Sequence, residues 1–448
     1  MRDRRQAALV LAMLVIGLPA GILRLRCAGN ACAAVRGDEA SAVPFCSLPG
    51  ELRRLIAAGF RDGRSPDVLA VTEGAIVEGG AGPGSSAATG PWPSLSPRPD
   101  TRVPIVFAGT GVREGAAVPD GTTLEQIAPT VSEVLRFRRP VPHVRSGVPV
   151  PGLAGGEVPR LVLEVAWKGI GTADLEAAPG DWPFLRSLME RGAGTLGGDT
   201  GSLPLDPAAT LTTIGTGGLP SEHGITGTLL RNDQGRLVRA WGPGAPLPVI
   251  ATLPEDLDDA LGERPLVGLV ATDPADRGIV GGRWYLEHDR DIVRIADGAA
   301  GRLAAVERVL ARGFGHDGAP DILAVVSEGP VRALDRELRR IVRAATRASG
   351  GSVLVVVAGT GTMRIPDGAA EVPALRLVER VNEIIGLGGR VVDAATPGGL
   401  FLDDGVLTRA GVTGGVAQEA LLEAEGPDGA PLVADAFQAF AVSFARYC

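Results

Sequence analysis

The residues best suited to chemistry are acids and one imidazole clustered in a single stretch. Within nineteen positions lie Asp273, Asp276, Glu287, His288, Asp289 and Asp291. Carboxylate oxygens are the ligands that Ca²⁺ and Mg²⁺ take in proteins. Asp273, Asp276, His288 and Asp289 are therefore the best candidates for a divalent metal site. Arginines at positions 277, 283 and 290 leave a second interpretation open, in which these acids form ion pairs in solvated loops.

Two Gly-Thr-Gly turns follow apolar runs, at residues 109–111 and 359–361. Neither contains the lysine of a phosphate-binding P-loop, and no dinucleotide-binding glycine pattern occurs in the chain. Backbone N–H groups in these turns could bind an anion. Equally, the glycines could serve only to form tight turns.

Composition limits the classes of function. The 448 residues contain 44 Lys and Arg against 52 Asp and Glu, a net charge of −8, which argues against a nucleic-acid-binding protein. Hydrophobic residues make up 45% and charged residues 21%, so a large folded core is expected. The length allows two or three domains, or one large α/β unit of two lobes.

The N-terminus predicts export. Arg2, Arg4 and Arg5 precede an uncharged run, residues 7–23, which is followed by Arg24 and Arg26. Residues 1–33 are therefore a predicted signal peptide or membrane anchor, with the body of the protein outside the cytoplasm, either at the cell membrane or secreted. Whether the chain is cleaved near residues 31–33 stays open.

The chain has four cysteines, at positions 27, 32, 46 and 448, with no CxxC pair that would suggest zinc. Exported proteins use cysteines mainly in disulfides. If cleavage follows residue 33, only Cys46 and Cys448 remain, and we predict a bridge between them. Two free thiols are the alternative.

An internal repeat indicates how the chain is organised. GFRDGRSPDVLAV at residues 59–71 matches GFGHDGAPDILAV at 313–325, and VPIVFAGTG at 103–111 matches VLVVVAGTG at 353–361. Short apolar runs between helical patterns are typical of an α/β fold with a mostly parallel sheet and helices on both faces. The predicted helices are residues 124–137, 183–191, 303–312, 331–349 and 375–385. We predict a first α/β segment, residues 34–156, a proline- and glycine-rich linker at 144–159, and a main segment, residues 157–448.

Residues 202–227 contain Thr216-Gly217 and a Pro-Ser-Glu-His-Gly-Ile motif at 220–225. In this order, after a strand at 161–165 and a helix ending in Gly-Ala, they resemble the alkaline phosphatase superfamily, and more narrowly its type I phosphodiesterase/nucleotide pyrophosphatase group. Residues 89–115 and 124–135 resemble the late part of such enzymes. That part comes first here, so the resemblance implies either circular permutation, with residues 47–143 completing the sheet, or duplication. The resemblance covers most of residues 66–141 and 161–363.

The resemblance also implies a dinuclear metal site, and the positions that would form it carry other residues. Lys168 follows the first strand where a carboxylate is expected, and Pro207 stands where the nucleophile is expected, nine residues before Thr216. The Asp-His pair of such enzymes corresponds to residues 359–361, which are Gly-Thr-Gly in this chain. The histidine in the late part of such enzymes corresponds to Thr89. Glu164, the nearest acid to the first position, could lie at a solvated strand end. Asp206 is expected to cap the following helix.

These observations predict a catalytically degenerate protein, a pseudoenzyme that binds a ligand or partner at the cell envelope. Its expected partners are a membrane, through the N-terminal anchor, and an unidentified protein or small anionic ligand, with no nucleic acid. No cofactor is expected. One alternative is a metal-dependent phosphodiesterase or phosphatase with a rearranged site at Asp273, Asp276, His288 and Asp289, and its cofactor would be a divalent metal. A structural envelope protein without a small ligand is a second alternative.

Overall fold

The computed structural model describes residues 24–28, 31–35, 44–72, 75–78, 99–282, 284–285, 291–362, 370–426, 429, 431–444 and 448. The chain divides into two compact units, Met1–Pro49 and Gly50–Cys448. In the first unit, β1 (Arg24–Ala28) pairs antiparallel with β2 (Ala31–Val35), and a short helix α1 (Pro44–Ser47) follows. The predicted anchor run, residues 7–23, lies outside the described residues. No helix in the described part of the chain is both long enough and apolar enough to cross a bilayer.

The described strands of the second unit are β3 (Val68–Val71), β4 (Ala75–Glu78), β5 (Arg102–Gly109), β6 (Leu161–Lys168), β7 (Ala193–Asp199), β8 (Leu229–Arg231), β9 (Leu237–Arg239), β10 (Val267–Ala271), β11 (Ile292–Ile295), β12 (Asp321–Glu328), β13 (Val353–Gly359), β14 (Ala370–Pro373), β15 (Val392–Thr396), β16 (Gly399–Leu402) and β17 (Asp435–Gln438). Its described helices are α2 (Gly50–Gly59), α3 (Ile127–Val134), α4 (Thr172–Ala177), α5 (Pro183–Arg191), α6 (Pro207–Thr216), α7 (Pro220–His223), α8 (Leu253–Ala260), α9 (Gly298–Leu310), α10 (Val331–Ala348), α11 (Ala374–Ile385), α12 (Asp404–Ala410), α13 (Gly415–Leu422) and α14 (Phe440–Ser443). Short 3-10 turns occupy Leu124–Gln126, Pro142–Val144 and Pro274–Ile279.

A seven-stranded sheet forms the centre of the second unit. Its strand order is β11-β10-β12-β6-β13-β5-β7. The first five strands run parallel, β5 is antiparallel to β13, and β7 is antiparallel to β5. The sheet is therefore mostly parallel, which confirms the predicted fold class.

Helices cover both faces of this sheet. Alternate residues of β6 point to opposite sides, so Val162 and Ala166 pack with α3, α6 and α8, whereas Leu163 and Val165 pack with α5, α9 and α10. Strands that are buried on both faces contain nearly continuous apolar runs, as residues 322–326 of β12 do. The two apolar layers position the strand ends described below.

A smaller four-stranded antiparallel sheet, β15-β16-β3-β17, packs against α11 and α13. Its core includes Val68, Val378, Leu400 and Leu421. Two further pairs of strands are present: parallel β4 with β14, and antiparallel β8 with β9.

The helices predicted from hydrophobic spacing are present. The helix predicted at 183–191 is α5, residue for residue, and those predicted at 331–349 and 375–385 differ from α10 and α11 by one residue each. At 124–137 a 3-10 turn precedes α3, and α9 begins five residues before the predicted position 303.

The two copies of the repeat occupy different places in the fold. β12 lies inside the large parallel sheet, whereas β3 pairs antiparallel with β16 and β17 in the small one. β5 and β13, the second pair of matching runs, are antiparallel neighbours. Because β5 joins the same sheet as β6, strands from both sides of residue 156 share one core. Permutation, duplication and the boundary near 156 stay predictions.

The predicted linker packs against the core over part of its length. Val150 and Leu153 are fully buried in the same apolar layer as α3. Residues 79–98, which are rich in glycine, proline and serine, lie outside the described residues. Cys46 and Cys448 are both disulfide-bonded, in agreement with the predicted bridge.

Candidate functional site

Four parallel strands of the large sheet end at one edge. They are β10, β12, β6 and β13, which end at Ala271, Glu328, Lys168 and Gly359. In open α/β sheets, ligands bind outside the carboxyl ends of the strands. We call this region, with the turns that follow each strand, the carboxyl edge.

A buried ion pair occupies the carboxyl edge. Nζ of Lys168 lies 2.9 Å from Oδ1 of Asp276, and the side chains are 9% and 1% exposed. The other carboxylate oxygen of Asp276 accepts hydrogen bonds from the backbone N–H and hydroxyl of Thr272 and from the backbone N–H of Asp273. Both oxygens of Asp276 are thus committed to donors from the protein itself.

The carboxylate of Asp273 is also bound by groups of the protein itself. It caps the 3-10 turn Pro274–Ile279 by accepting from the N–H of Ala275, 2.7 Å away, and it forms an ion pair with Arg239. Burial alone would raise the pKa of Asp273, but the Ala275 N–H, Arg239 and Lys168 together hold it below its ordinary value. The turn places Asp273 and Asp276 side by side, each facing a cation of the chain.

The predicted four-residue metal site is only partly within the described residues. Asp273 and Asp276 come together as predicted, while His288 and Asp289 lie outside the described residues. Across the described ranges, no group of three or more His, Cys, Asp or Glu side chains could hold a metal ion. The four-residue site therefore stays a prediction.

The first turn of α6 carries no nucleophile in the expected place. Pro207 is its first residue, and Asp206 caps the helix by accepting from the N–H of Ala208 at 2.9 Å. The Asp206 carboxylate also accepts from the backbone N–H and hydroxyl of Thr228. Burial raises the pKa of Asp206, and these hydrogen bonds lower it only in part. The predicted capping role of Asp206 is confirmed.

The Gly-Thr-Gly turn after β13 does not offer its first N–H groups to an anion. The N–H of Thr360 donates to the carbonyl of Trp167, and that of Gly361 donates to the carbonyl of Ile170. The Thr360 hydroxyl accepts from the N–H of Gly169. Gly361 has a φ of 107°, a conformation that favours glycine. The tight-turn interpretation explains this motif.

The interpretation that places Glu164 at a solvated strand end is wrong. It is 3% exposed in the middle of β6, on the face of Val162 and Ala166. Its side chain has no hydrogen bond or ion pair with any described residue. Burial raises the pKa of Glu164 to about 8, and the nearby Arg139 guanidinium lowers it only in part. Glu164 is therefore mostly protonated at neutral pH.

His223 of the Pro-Ser-Glu-His motif is a structural residue. Its Nδ1 accepts from the N–H of Ile225, so Nε2 carries the proton and donates to the Thr213 hydroxyl, 3.1 Å away. Burial, together with the charge of Arg61, lowers the pKa of His223 to about 3. An imidazole in this tautomer cannot accept a proton from Thr213, so the two do not form a nucleophile and base pair.

Sequence reasoning missed a second buried ionic cluster. Asp256 Oδ2 lies 2.7 Å from Nε of Arg139 and 3.0 Å from Nη2 of Arg145, and Tyr285 donates to the other oxygen. Arg139 also donates to the carbonyl of Thr216, where α6 ends. The cluster neutralises that helix terminus. Arg139 and Asp256 are 117 positions apart, and no local motif marks them.

The described residues of the carboxyl edge do not fit a dinuclear metal centre. Such a centre requires carboxylate and imidazole ligands around two cations about 4 Å apart. Lys168 brings an ammonium group there instead, and its partner Asp276 has no free oxygen. No step of metal-assisted hydrolysis can be derived from these side chains.

Comparisons with known proteins found a similarity only to solved structures. No family model and no curated protein sequence matches the chain. Crystal structures of wild-type alkaline phosphatase PafA and of a variant with four substitutions are similar, with TM-scores of 0.40 and 0.41 and 13% sequence identity. Each comparison covers 59% of this chain and 76% of the other.

Proposed function

We propose that this chain is an exported, membrane-tethered protein of alkaline phosphatase type that has lost its hydrolytic centre and binds a ligand or partner at the cell envelope. The buried pair of Lys168 with Asp276 is the observation that carries this proposal. The ammonium group occupies the position beside the Asp276 carboxylate that a metal cation would need, and the other oxygen of Asp276 already accepts hydrogen bonds from Thr272 and Asp273.

Two further features support the loss of catalysis. Pro207 has no hydroxyl to attack phosphorus at the start of α6. His223, the imidazole of the surviving motif, uses both ring nitrogens in hydrogen bonds to its neighbours. The motifs that shape the fold are thus retained without the groups that would act on a substrate.

Export is proposed from the sequence and from the cysteines. An apolar run flanked by arginines at the N-terminus is typical of a secretory signal or anchor. Cys46 and Cys448 are disulfide-bonded, which fits an oxidising compartment outside the cytoplasm.

The proposal is tested by phosphoesterase assays on the purified full chain in detergent. The substrates are p-nitrophenyl phosphate and bis(p-nitrophenyl) phosphate, each with added zinc, manganese or calcium. The expected rate equals that of buffer with the same metal. Metal-dependent hydrolysis that disappears in an Asp273→Asn/His288→Ala variant and persists in Arg332→Ala would contradict the proposal and support the rearranged metal site.

A further inference from the structure

One long helix concentrates positive charge on the surface of this acidic protein. The exposed arginines of α10 are Arg332, Arg336, Arg339, Arg340, Arg343 and Arg347. We call this surface the arginine face. The opposite side of the helix is apolar and buried, with Leu334, Leu338 and Ile341 in the core. The orientation of α10 is therefore fixed by packing, and its arginines must point outward.

The acids of α10 do not lie on this face. Asp335 is buried and accepts hydrogen bonds from the backbone N–H groups of Phe184 and Leu185. Glu337 is also buried and forms a bidentate ion pair with Arg302. Both carboxylates point away from solvent, so the exposed surface of the helix carries one sign of charge.

Most of the arginine face has no partner in the described part of the chain. Arg332 forms an ion pair with Asp181, and Arg339 interacts electrostatically with Asp335. The side chains of the other four arginines have no ion pair or hydrogen bond with a described residue. Helices α5 and α9 pack beside α10. Their exposed charged residues are three arginines and two glutamates: Arg186, Arg191, Arg308, Glu190 and Glu307. The whole chain has a net charge of −8, so this positive surface is a local asymmetry.

The shape of the arginine face fits an extended array of phosphates. The arginines repeat at spacings of three and four, so they form one stripe along a helix of 18 residues, about 27 Å long. Guanidinium groups bind phosphate oxygens through paired hydrogen bonds. The helix has no aromatic side chain on which a nucleic-acid base could stack. These features favour a flat anionic surface over a small ligand or a single-stranded nucleic acid.

We propose that the arginine face docks against an anionic phospholipid membrane surface. This inference rests on the membrane tether in the proposed function, because a retained anchor would keep the body of the protein beside a bilayer. Electrostatic attraction of this kind adds up over the arginines and weakens with salt, each arginine near an anionic bilayer strengthening binding about fivefold.

The test uses the full chain reconstituted in vesicles of phosphatidylcholine, with or without phosphatidylglycerol at about one third of the lipid. Phenylglyoxal modification, followed by mass spectrometry, measures the reaction rate of each arginine. The matched controls are Arg376 and Arg380 of α11, which are 78% and 54% exposed. We expect the arginines at 336, 340, 343 and 347 to react at least about fivefold more slowly in the anionic vesicles, relative to the controls. About 0.5 M salt should abolish the difference.

Equal relative rates in the two kinds of vesicle would overturn the docking proposal. Protection by soluble polyphosphate but not by phosphatidylglycerol would overturn it as well, and would point to a soluble polyanion. Extraction of the chain from both kinds of vesicle by carbonate would contradict the tether, and with it the docking. Failure of the docking alone leaves the chain tethered and its arginines equally reactive, so the two failures are distinguishable.

Discussion

The ammonium nitrogen of Lys168 lies 2.9 Å from a carboxylate oxygen of Asp276, and the two side chains are only 9% and 1% exposed. Lys168 ends the central strand β6, and Asp276 belongs to the turn after β10. The pair therefore ties two strand ends together at the edge where α/β proteins bind their ligands. Because the Lys168 ammonium group takes the place beside Asp276 that a metal cation would need, this carboxylate is not available as a metal ligand.

Breaking this pair should destabilise the protein. Lys168→Met leaves the Asp276 carboxylate buried without its cation, and we expect a loss of about 3–5 kcal/mol in the free energy of unfolding. Chemical denaturation of the two proteins measures the difference. Arg332→Ala is the control, because its ion pair with Asp181 is exposed and should contribute only about 0–1 kcal/mol. A loss as small as that of the control would show that the pair is not a structural requirement.

Glu164 should make the protein less stable at alkaline pH. Burial raises the pKa of Glu164 to about 8 in the folded state, against an ordinary value of 4.5. The folded state then binds more protons than the unfolded state between these pH values, so this contribution is complete below about pH 4.5 and is lost as the pH rises through 8. The slope should approach about 1.4 kcal/mol per pH unit.

Glu164→Gln removes this titration while keeping the shape of the side chain. Its unfolding free energy should change less between pH 5 and pH 8 than that of the unsubstituted protein, as measured by urea denaturation at several pH values. Parallel pH profiles for the two proteins would exclude a raised pKa at this position.

His223 should make the protein less stable at acid pH. Its pKa is lowered from 6.5 to about 3 by burial and by Arg61, so the unfolded state binds more protons between these values. Its contribution is complete above about pH 6.5 and is lost as the pH falls towards 3. His223→Gln should flatten the acid limb of the stability profile by up to about 1.4 kcal/mol per pH unit. An unchanged acid limb would indicate that another group causes any acid destabilisation.

Gly278 packs so closely against α6 that a residue with a side chain should not be tolerated at this position. A Cβ at Gly278 would lie 2.1 Å from the Thr212 hydroxyl oxygen, so Gly278→Ala must push the turn Pro274–Ile279 away from the helix. We expect a loss of about 1–3 kcal/mol in the free energy of unfolding, measured by denaturation.

Gly301 provides the matched control for this substitution. It lies inside α9 with nothing within 4 Å of the added Cβ. Gly301→Ala should therefore stabilise the protein by about 0.5–1 kcal/mol, through helix propensity. Equal effects of the two substitutions would contradict the close approach.

Local signals in the sequence predicted the elements well. Proline at the first position and buried Leu185 and Leu188 define α5, which has the predicted ends. Apolar spacing likewise identified α10 and the central strands, because each pattern lies within a few residues and reflects one buried face. Asp206 followed by Pro207 was sufficient to predict the helix cap.

Long-range relationships were not predictable in the same way. β3 and β12 have nearly the same sequence, yet one joins the small antiparallel sheet and the other the large parallel sheet. Pairing depends on distant partners, and the local residues do not encode them. The burial of Glu164 and the contact of Arg139 with Asp256 were missed for the same reason, since each depends on elements far away in the chain.

The central claim, that the hydrolytic metal centre is absent, is tested most directly by metal content. The full chain, purified in detergent, is equilibrated with zinc, manganese and calcium, passed through a desalting column and measured by elemental analysis. The account predicts fewer than about 0.1 ions of any of these metals per chain, whereas a dinuclear hydrolase retains about two. About two bound ions per chain, lost in the Asp273→Asn/His288→Ala variant, would contradict it.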